Sequence, residues 1–148
     1  MDLHLDDAGF VRAPRPLVYR RITHVANWPF WWPGARVSAA PSVGGDEVWN
    51  LEFRGAVGRR LRLAARTHTW RHEHGFSLAL AGDVDGAAEF WLEAVGGGTV
   101  VHHLVVGRTD VPHPLRVLAD YRRALRRGLW GFKDALHVEM RTSAGLVP

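Results

Sequence analysis

The sequence predicts an α+β fold: a curved antiparallel sheet wrapped around one long C-terminal helix, with two short helices after the first strand. Three observations carry this. Between about residues 35 and 109 apolar residues recur with a period of two in short runs broken by glycine-rich turns, the mark of an antiparallel meander. After Pro112 and Pro114 the period lengthens, and Leu118, Tyr121, Leu125, Leu129, Phe132, Leu136 and Met140 form one helical stripe. Ahead of both, a proline-rich, tryptophan-rich segment breaks regular structure near the N-terminus.

The elements follow in order. Residues 2–12 mix apolar and acidic residues and read as a first strand. Ala13-Pro14-Arg15-Pro16 opens a short helix, since proline is tolerated in a first helical turn; Leu17, Val18, Ile22 and Val25 supply its apolar face. The corner Asn27-Trp28-Pro29-Phe30-Trp31-Trp32-Pro33-Gly34 follows, reading as a second short helix and a turn into the second strand. Trp28 is expected to be buried there, with Phe30 or Trp31 at the edge of an opening. Val48, Trp49, Leu51 and Phe53 come after Gly44-Gly45. Leu61, Leu63, Ala65, Thr67 and Thr69 then alternate with Arg60, Arg62, Arg66, His68 and Trp70, which places the first set on the helix side. Residues 76–81 and 87–95 are joined by Gly82-Asp83-Val84-Asp85-Gly86, and Gly96-Gly97-Gly98 leads into 99–108. By parity Phe90 and Leu92 point inward, as do Val101, His103 and Val105. A helix over 114–140 runs roughly 40 Å at 1.5 Å per residue, so the sheet must curve to hold it.

With 148 residues the chain reads as one domain, 1–148, large enough for a substantial core. The absence of cysteine excludes disulfides and thiolate chemistry. The acidic start MDLHLDD is unlike a signal peptide, and no apolar run approaches a membrane span, so the expected location is cytoplasmic. The net charge is +4, and 18 of the 19 basic residues are arginines scattered along the chain, so charge gives no argument for nucleic acid.

No motif fixes a chemistry. The serines lack a nucleophile-elbow context and there is no phosphate loop. His68, His72 and His74 have no regular ligand spacing, so no metal and no cofactor is expected. Asp6-Asp7, Asp46-Glu47, Asp83 and Asp85 read as solvated or capping carboxylates. Arg122-Arg123 and Arg126-Arg127 would suit an acidic carrier protein, phosphates or anionic lipid, but the plain reading is a solvated helix face. Gly128 and Gly131 within the helix each cost about 1 kcal/mol relative to alanine, so either the helix approaches the sheet closely there or side chains have been removed to make room for a ligand.

These residues together resemble the START / Bet v 1-like (SRPBCC) superfamily, within it the polyketide cyclase/dehydrase and lipid-transport group. The matching pieces are Ala13-Pro14-Arg15-Pro16-Leu17-Val18-Tyr19, Ile22 through Trp28-Pro29, and Trp32-Pro33-Gly34. Further matches are Gly82 through Gly86, Leu92-Glu93, Gly97-Gly98-Thr99 and the final helix. The resemblance implies a helix-grip fold with an apolar cavity between sheet and helix, opening near the strand loops and the short N-terminal helices. It implies binding of a hydrophobic, polyketide- or lipid-like molecule, with Trp28, Trp31, Trp32, Leu61, Leu63, Thr67, Phe90, Leu92, Val101, His103, Leu125, Leu129 and Phe132 as lining candidates. If the protein is also a cyclase/dehydratase, His103 and Tyr121 are the candidate catalytic groups and an acyl carrier protein the candidate partner. At the interior strand the chain departs from cyclases, offering Thr67 and Thr69 with Arg66 on the other parity. The alternatives are a carrier, with a cavity almost wholly apolar, and a stress or regulatory interaction module with a filled core. The last predicts no cavity of the several hundred Å³ typical of ligand sites.

Overall fold

In the computed structural model the backbone of residues 1–143 and the side chains of residues 1–131 are described. Seven strands form one antiparallel sheet in the order β1-β7-β6-β5-β4-β3-β2. They are β1 (Asp2–Val11), β2 (Ala35–Val43), β3 (Asp46–Arg54), β4 (Arg60–Arg71), β5 (Gly75–Gly82), β6 (Val84–Val95) and β7 (Gly98–Thr109). Helix α1 (Arg15–Thr23) and a 3-10 turn (Val25–Phe30) separate β1 from β2, and α2 (Pro114–Ser143) closes the chain. β1 skips the meander and pairs with β7, from Asp2↔Arg108 to Val11↔Thr99.

Helix α1 starts on Pro14, whose carbonyl accepts from the amides of Leu17 and Val18 at 3.1 and 3.2 Å. It buries Val18 and Ile22 and ends where the Thr23 hydroxyl donates back to the Tyr19 carbonyl at 2.8 Å. The tryptophan corner is a plug. Trp28 and Trp32 are each 1% exposed, and the Trp28 indole N–H donates to the Ile22 carbonyl at 2.8 Å. Burying roughly 200 Å² apiece, each ring is worth about 5 kcal/mol of gross hydrophobic stabilisation. Gly34 makes the exit: φ is +80°, and a Cβ there would lie 2.4 Å from the Arg54 carbonyl oxygen. Phe30, by contrast, stands in solvent at 86% exposure.

Several local expectations need correction. Thr69 is exposed, because the β4–β5 register shifts between His68 and Arg71 and Thr69 adopts φ +51°. That irregularity reverses the parity beyond it, so Trp70 stacks on fully buried Phe76 at 4.9 Å rather than standing among the arginines. The turn expected over Gly82–Gly86 is shorter, since Val84 is already in β6 and buried and Leu80 pairs with Gly86. The buried ridge of α2 is Val117, Tyr121, Leu125 and Leu129, in steps of four, while Leu118 is only half-buried. Finally, Asp7 is no solvated carboxylate. It lies mid-strand, is 9% exposed, and accepts from Arg126 Nε and a terminal guanidinium nitrogen at 2.9 and 2.7 Å.

Asp85 caps the β5–β6 turn as expected, accepting from the Gly82 amide at 3.3 Å, while Asp83 reaches across to β4 and accepts from the Arg62 amide at 2.7 Å. The two helix glycines differ. A Cβ on Gly128 would lie 2.6 Å from the Trp31 carbonyl oxygen, whereas one on Gly131 would meet nothing within 4 Å. Close approach therefore explains Gly128, and the partner is the tryptophan corner rather than the sheet. Leu136 and Met140 lie outside the described side chains. Among the described residues no helix is long and apolar enough to cross a membrane.

Candidate functional site

Curving the sheet over α2 divides the interior into a hollow end and a filled end. The hollow lies under the first turns of α2. Its walls are Leu51 and Phe53 of β3, Leu61 and Leu63 of β4, Leu78 and Leu80 of β5, Val84 and Ala88 of β6, and Val105 of β7, with Val117 and Tyr121 from the helix and Trp28 from the corner. Each strand contributes alternate residues, as the two-residue period requires. The lining residues that keep partial exposure are Leu3, Val111, Pro114 and Leu118, so the mouth lies where β1 begins and α2 starts. Neither Phe30 nor Trp31 edges it; the short N-terminal helices close the other side of the core. Space open to a water-sized sphere inside is about 30 Å³, and the whole non-atom volume, open mouth included, is about 530 Å³. The hollow thus has room for a water or two rather than for a ligand of typical size, which is what the filled-core alternative expects of it as it stands.

The filled end is aromatic. Trp32 packs on Phe53 at 4.8 Å and Tyr121 at 5.2 Å; Trp28 packs on Trp32 at 5.2 Å and Phe90 at 5.7 Å. A stacked row runs across neighbouring strands from Trp70 through Phe76 and Phe90 to His103, where the last pair are 4.0 Å apart.

His103 and Tyr121 meet at the boundary between the two ends. The ring Nδ1 of His103 lies 3.1 Å from the Glu89 carbonyl, which can only accept, so Nδ1 carries the proton. Nε2 is then the acceptor, and the Tyr121 hydroxyl donates to it at 2.7 Å. Burial lowers the His103 pKa to about 4, with the Glu89 hydrogen bond and the nearby Asp7 charge pulling only partly the other way. Burial pushes the Tyr121 phenol well above its ordinary range. The pair is therefore neutral, and Tyr121 is its face toward the hollow. Asp7, opposite His103 in the β1–β7 register, is under opposing influences. Burial raises its pKa, but the Arg126 and Ala8 hydrogen bonds and the charges of Arg126 and Arg122 prevail and hold it low.

Of the residues singled out from sequence, Trp28, Leu61, Leu63 and Tyr121 line the hollow together. Trp32, Phe90, Leu92, Val101, His103, Leu125 and Leu129 are buried away from it, and Trp31 is half-buried on Trp32 at 5.5 Å. Thr67 is fully buried and its hydroxyl donates to the Glu47 carbonyl at 3.3 Å. The Phe132 side chain lies outside the described residues. Sequence reasoning passed over Leu51, Leu78, Leu80, Val84 and Ala88 as lining groups; the alternation in Phe76–Ala81 was the signal for two of them. Among the described residues no group of three or more His, Asp or Glu side chains converges as a metal site. His72 instead sits edge-on to Tyr19 at 5.6 Å.

No protein-family model and no curated protein sequence matches the chain. Solved structures do. Protein TTHA0849 from Thermus thermophilus superposes with a TM-score of 0.76 at 15% identity, over 90% of this chain and 99% of that one. A START superfamily protein from Mycobacterium smegmatis gives 0.74 at 12% identity, over 90% and 98%. The Zhui aromatase/cyclase from Streptomyces sp. R1128 gives 0.67 at 16% identity, over 90% and 94%. At these identities the likeness speaks for architecture alone: a seven-stranded antiparallel sheet gripping a C-terminal helix, the helix-grip fold that these structures share.

Proposed function

We propose that this protein binds a small hydrophobic molecule in the hollow between the sheet and the N-terminal half of α2. The observation that carries the reading is the continuity of the wall: from Leu3 and Leu118 at the mouth to Tyr121 at depth, every lining residue is apolar or aromatic. The Trp28 indole N–H is committed to the Ile22 carbonyl and the Tyr121 proton to His103, so both polar groups of the wall are already satisfied and the apolar surface is what a ligand would meet. Since the hollow is small, occupancy requires the leucine side chains of the wall to change rotamer and the mouth to widen. Leucines carry no branch at Cβ, so turning them costs less than moving the stacked rings of the filled end.

The test is titration with N-phenyl-1-naphthylamine, an uncharged fluorophore that brightens in apolar surroundings. Saturable binding is expected, and the fillers Leu78→Trp and Ala88→Leu should weaken it about tenfold or more, equivalent to ~1.4 kcal/mol, while the protein still melts cooperatively. No saturable binding, or fillers that bind equally well, would return the molecule to a filled-core interaction module.

The buried His103–Tyr121 pair favours a second reading, cyclase/dehydratase activity on a poly-β-ketone, with Tyr121 facing the ligand and neutral His103 as the base behind it. Its test is a split: His103→Gln and Tyr121→Phe lower turnover and leave ligand affinity nearly unchanged. Unchanged turnover removes the reading.

A further inference from the structure

The outer face of α2 carries a feature that neither the hollow nor the core uses. Leu115, Ala119, Arg122, Arg126 and Trp130 follow at steps of four, three, four and four, so they share one stripe; Arg116, Arg123 and Arg127 run beside it. Leu115 is 69% exposed and Trp130 71%, and the side chains of Arg123 and Arg126 are 66% and 59% exposed. A shallow groove between them is lined by Ala119, Arg122, Arg123, Arg126, Arg127 and Trp130. Among the described residues two carboxylates reach this face. Asp7 neutralises Arg126, and Asp120, 8% exposed at its side chain, serves Arg59 at 2.8 Å and lies 3.7 Å from Arg123. Between Leu115 and Trp130 the stripe is thus positive, and these two large apolar side chains lie roughly 22 Å apart at 1.5 Å per residue.

We infer that this face docks on an anionic phospholipid surface, with α2 lying in the plane of the headgroups. Arginine guanidiniums pair with phosphates in fork geometry, and tryptophan settles at the depth where apolar tails meet polar headgroups. A helix face on which arginines lie between two exposed apolar side chains suits such a surface, while a wholly aqueous role leaves both of those side chains in water. The orientation brings Leu115 to the bilayer beside Pro114 and Leu118, which edge the hollow, so a ligand could pass from acyl chains into the protein without crossing water. That consequence rests on the cavity reading; docking itself does not.

The experiment is co-sedimentation of the full chain with phosphatidylcholine–phosphatidylserine vesicles and with pure phosphatidylcholine vesicles, at low and high salt. Binding is expected only to the anionic vesicles, weakening as salt rises. Arg122→Gln, Arg123→Gln and Arg127→Gln together should lower it on the order of a hundredfold, from about fivefold per arginine near a charged surface. Arg126 is left intact because it holds Asp7. Trp130→Ser should weaken binding and reduce the vesicle-induced fluorescence blue shift, with the far-ultraviolet spectrum and melting curve unchanged in both variants. Absence of binding, equal binding to neutral vesicles, or a triple variant that binds as well as the parent overturns the proposal; absence of binding leaves an acidic protein as the partner to seek. Vesicle binding without uptake of the naphthylamine would keep docking and remove the cavity reading, and the converse result would do the reverse.

Discussion

His103 is held neutral by its surroundings, and that has a pH signature. Its folded pKa of about 4 lies below the ordinary 6.5, so between those values the unfolded chain binds a proton that the native protein does not. Stability is full above pH 6.5 and falls as pH drops toward 4, by up to roughly 3 kcal/mol at 1.36 kcal/mol per unit. Urea melts at pH 7 and pH 4.5 should show the loss in the parent and much less of it in His103→Gln. An equal loss in both would assign the acid sensitivity to other groups. Tyr121 was visible in the sequence as one member of a helical stripe, and His103 as an inward residue by parity. Their bond was not visible, because it depends on where α2 crosses β7, which neither periodicity records.

At the scale of elements, α2 shows how a helix can be shaped by one neighbour and ignored by another. Gly128 admits the Trp31 backbone, so Gly128→Ala should destabilise by about 1–3 kcal/mol despite alanine's better helix propensity. Gly131 faces open space, and Gly131→Ala should stabilise by about 0.5–1 kcal/mol. Opposite signs in a thermal melt are the expected outcome; the same sign for both would mean that the corner yields to the methyl group. Strands were legible wherever alternation was unbroken, as from Leu61 to Thr67. They were misread where backbone geometry intervened, since the turn at Thr69 reverses parity without altering the polarity pattern before it. The corner was legible as a plug through Trp28. Phe30 or Trp31 was expected at the edge of the opening and neither is there, because nothing local tells which rings of a proline-broken turn face outward.

Across the whole molecule, two charged clamps fasten the helix to the sheet. Arg126 grips Asp7 of β1, and Asp120 accepts from Arg59 and from the Ala56 amide in the β3–β4 connection. Replacing Arg126 by leucine leaves Asp7 buried without its partner, and with Arg126 more than half exposed we expect a loss of about 1–2 kcal/mol. Asp7→Asn with Arg126→Leu should recover much of that, giving a favourable coupling in a double-mutant cycle; additive losses would show that the clamp contributes nothing. Neither clamp could be found from sequence, since Asp7 and Arg126 lie at opposite ends of the chain. The general architecture could, because it follows from two periodicities and their order.

The pairing of β1 with β7 also sets a schedule. Asp2 must find Arg108, so the first strand made waits for the last before the sheet can be completed. The hairpin contacts from β2 to β7 are local and can form as each strand appears, whereas the β1–β7 ladder closes a loop of about a hundred residues at considerable entropic cost. Until then Leu5 and Val11 have no sheet to complete and Asp7 no guanidinium, and the wall of the hollow stays open on one flank. A nascent chain would therefore hold an unpaired β7 edge late in synthesis, the period in which it is most exposed to misassociation.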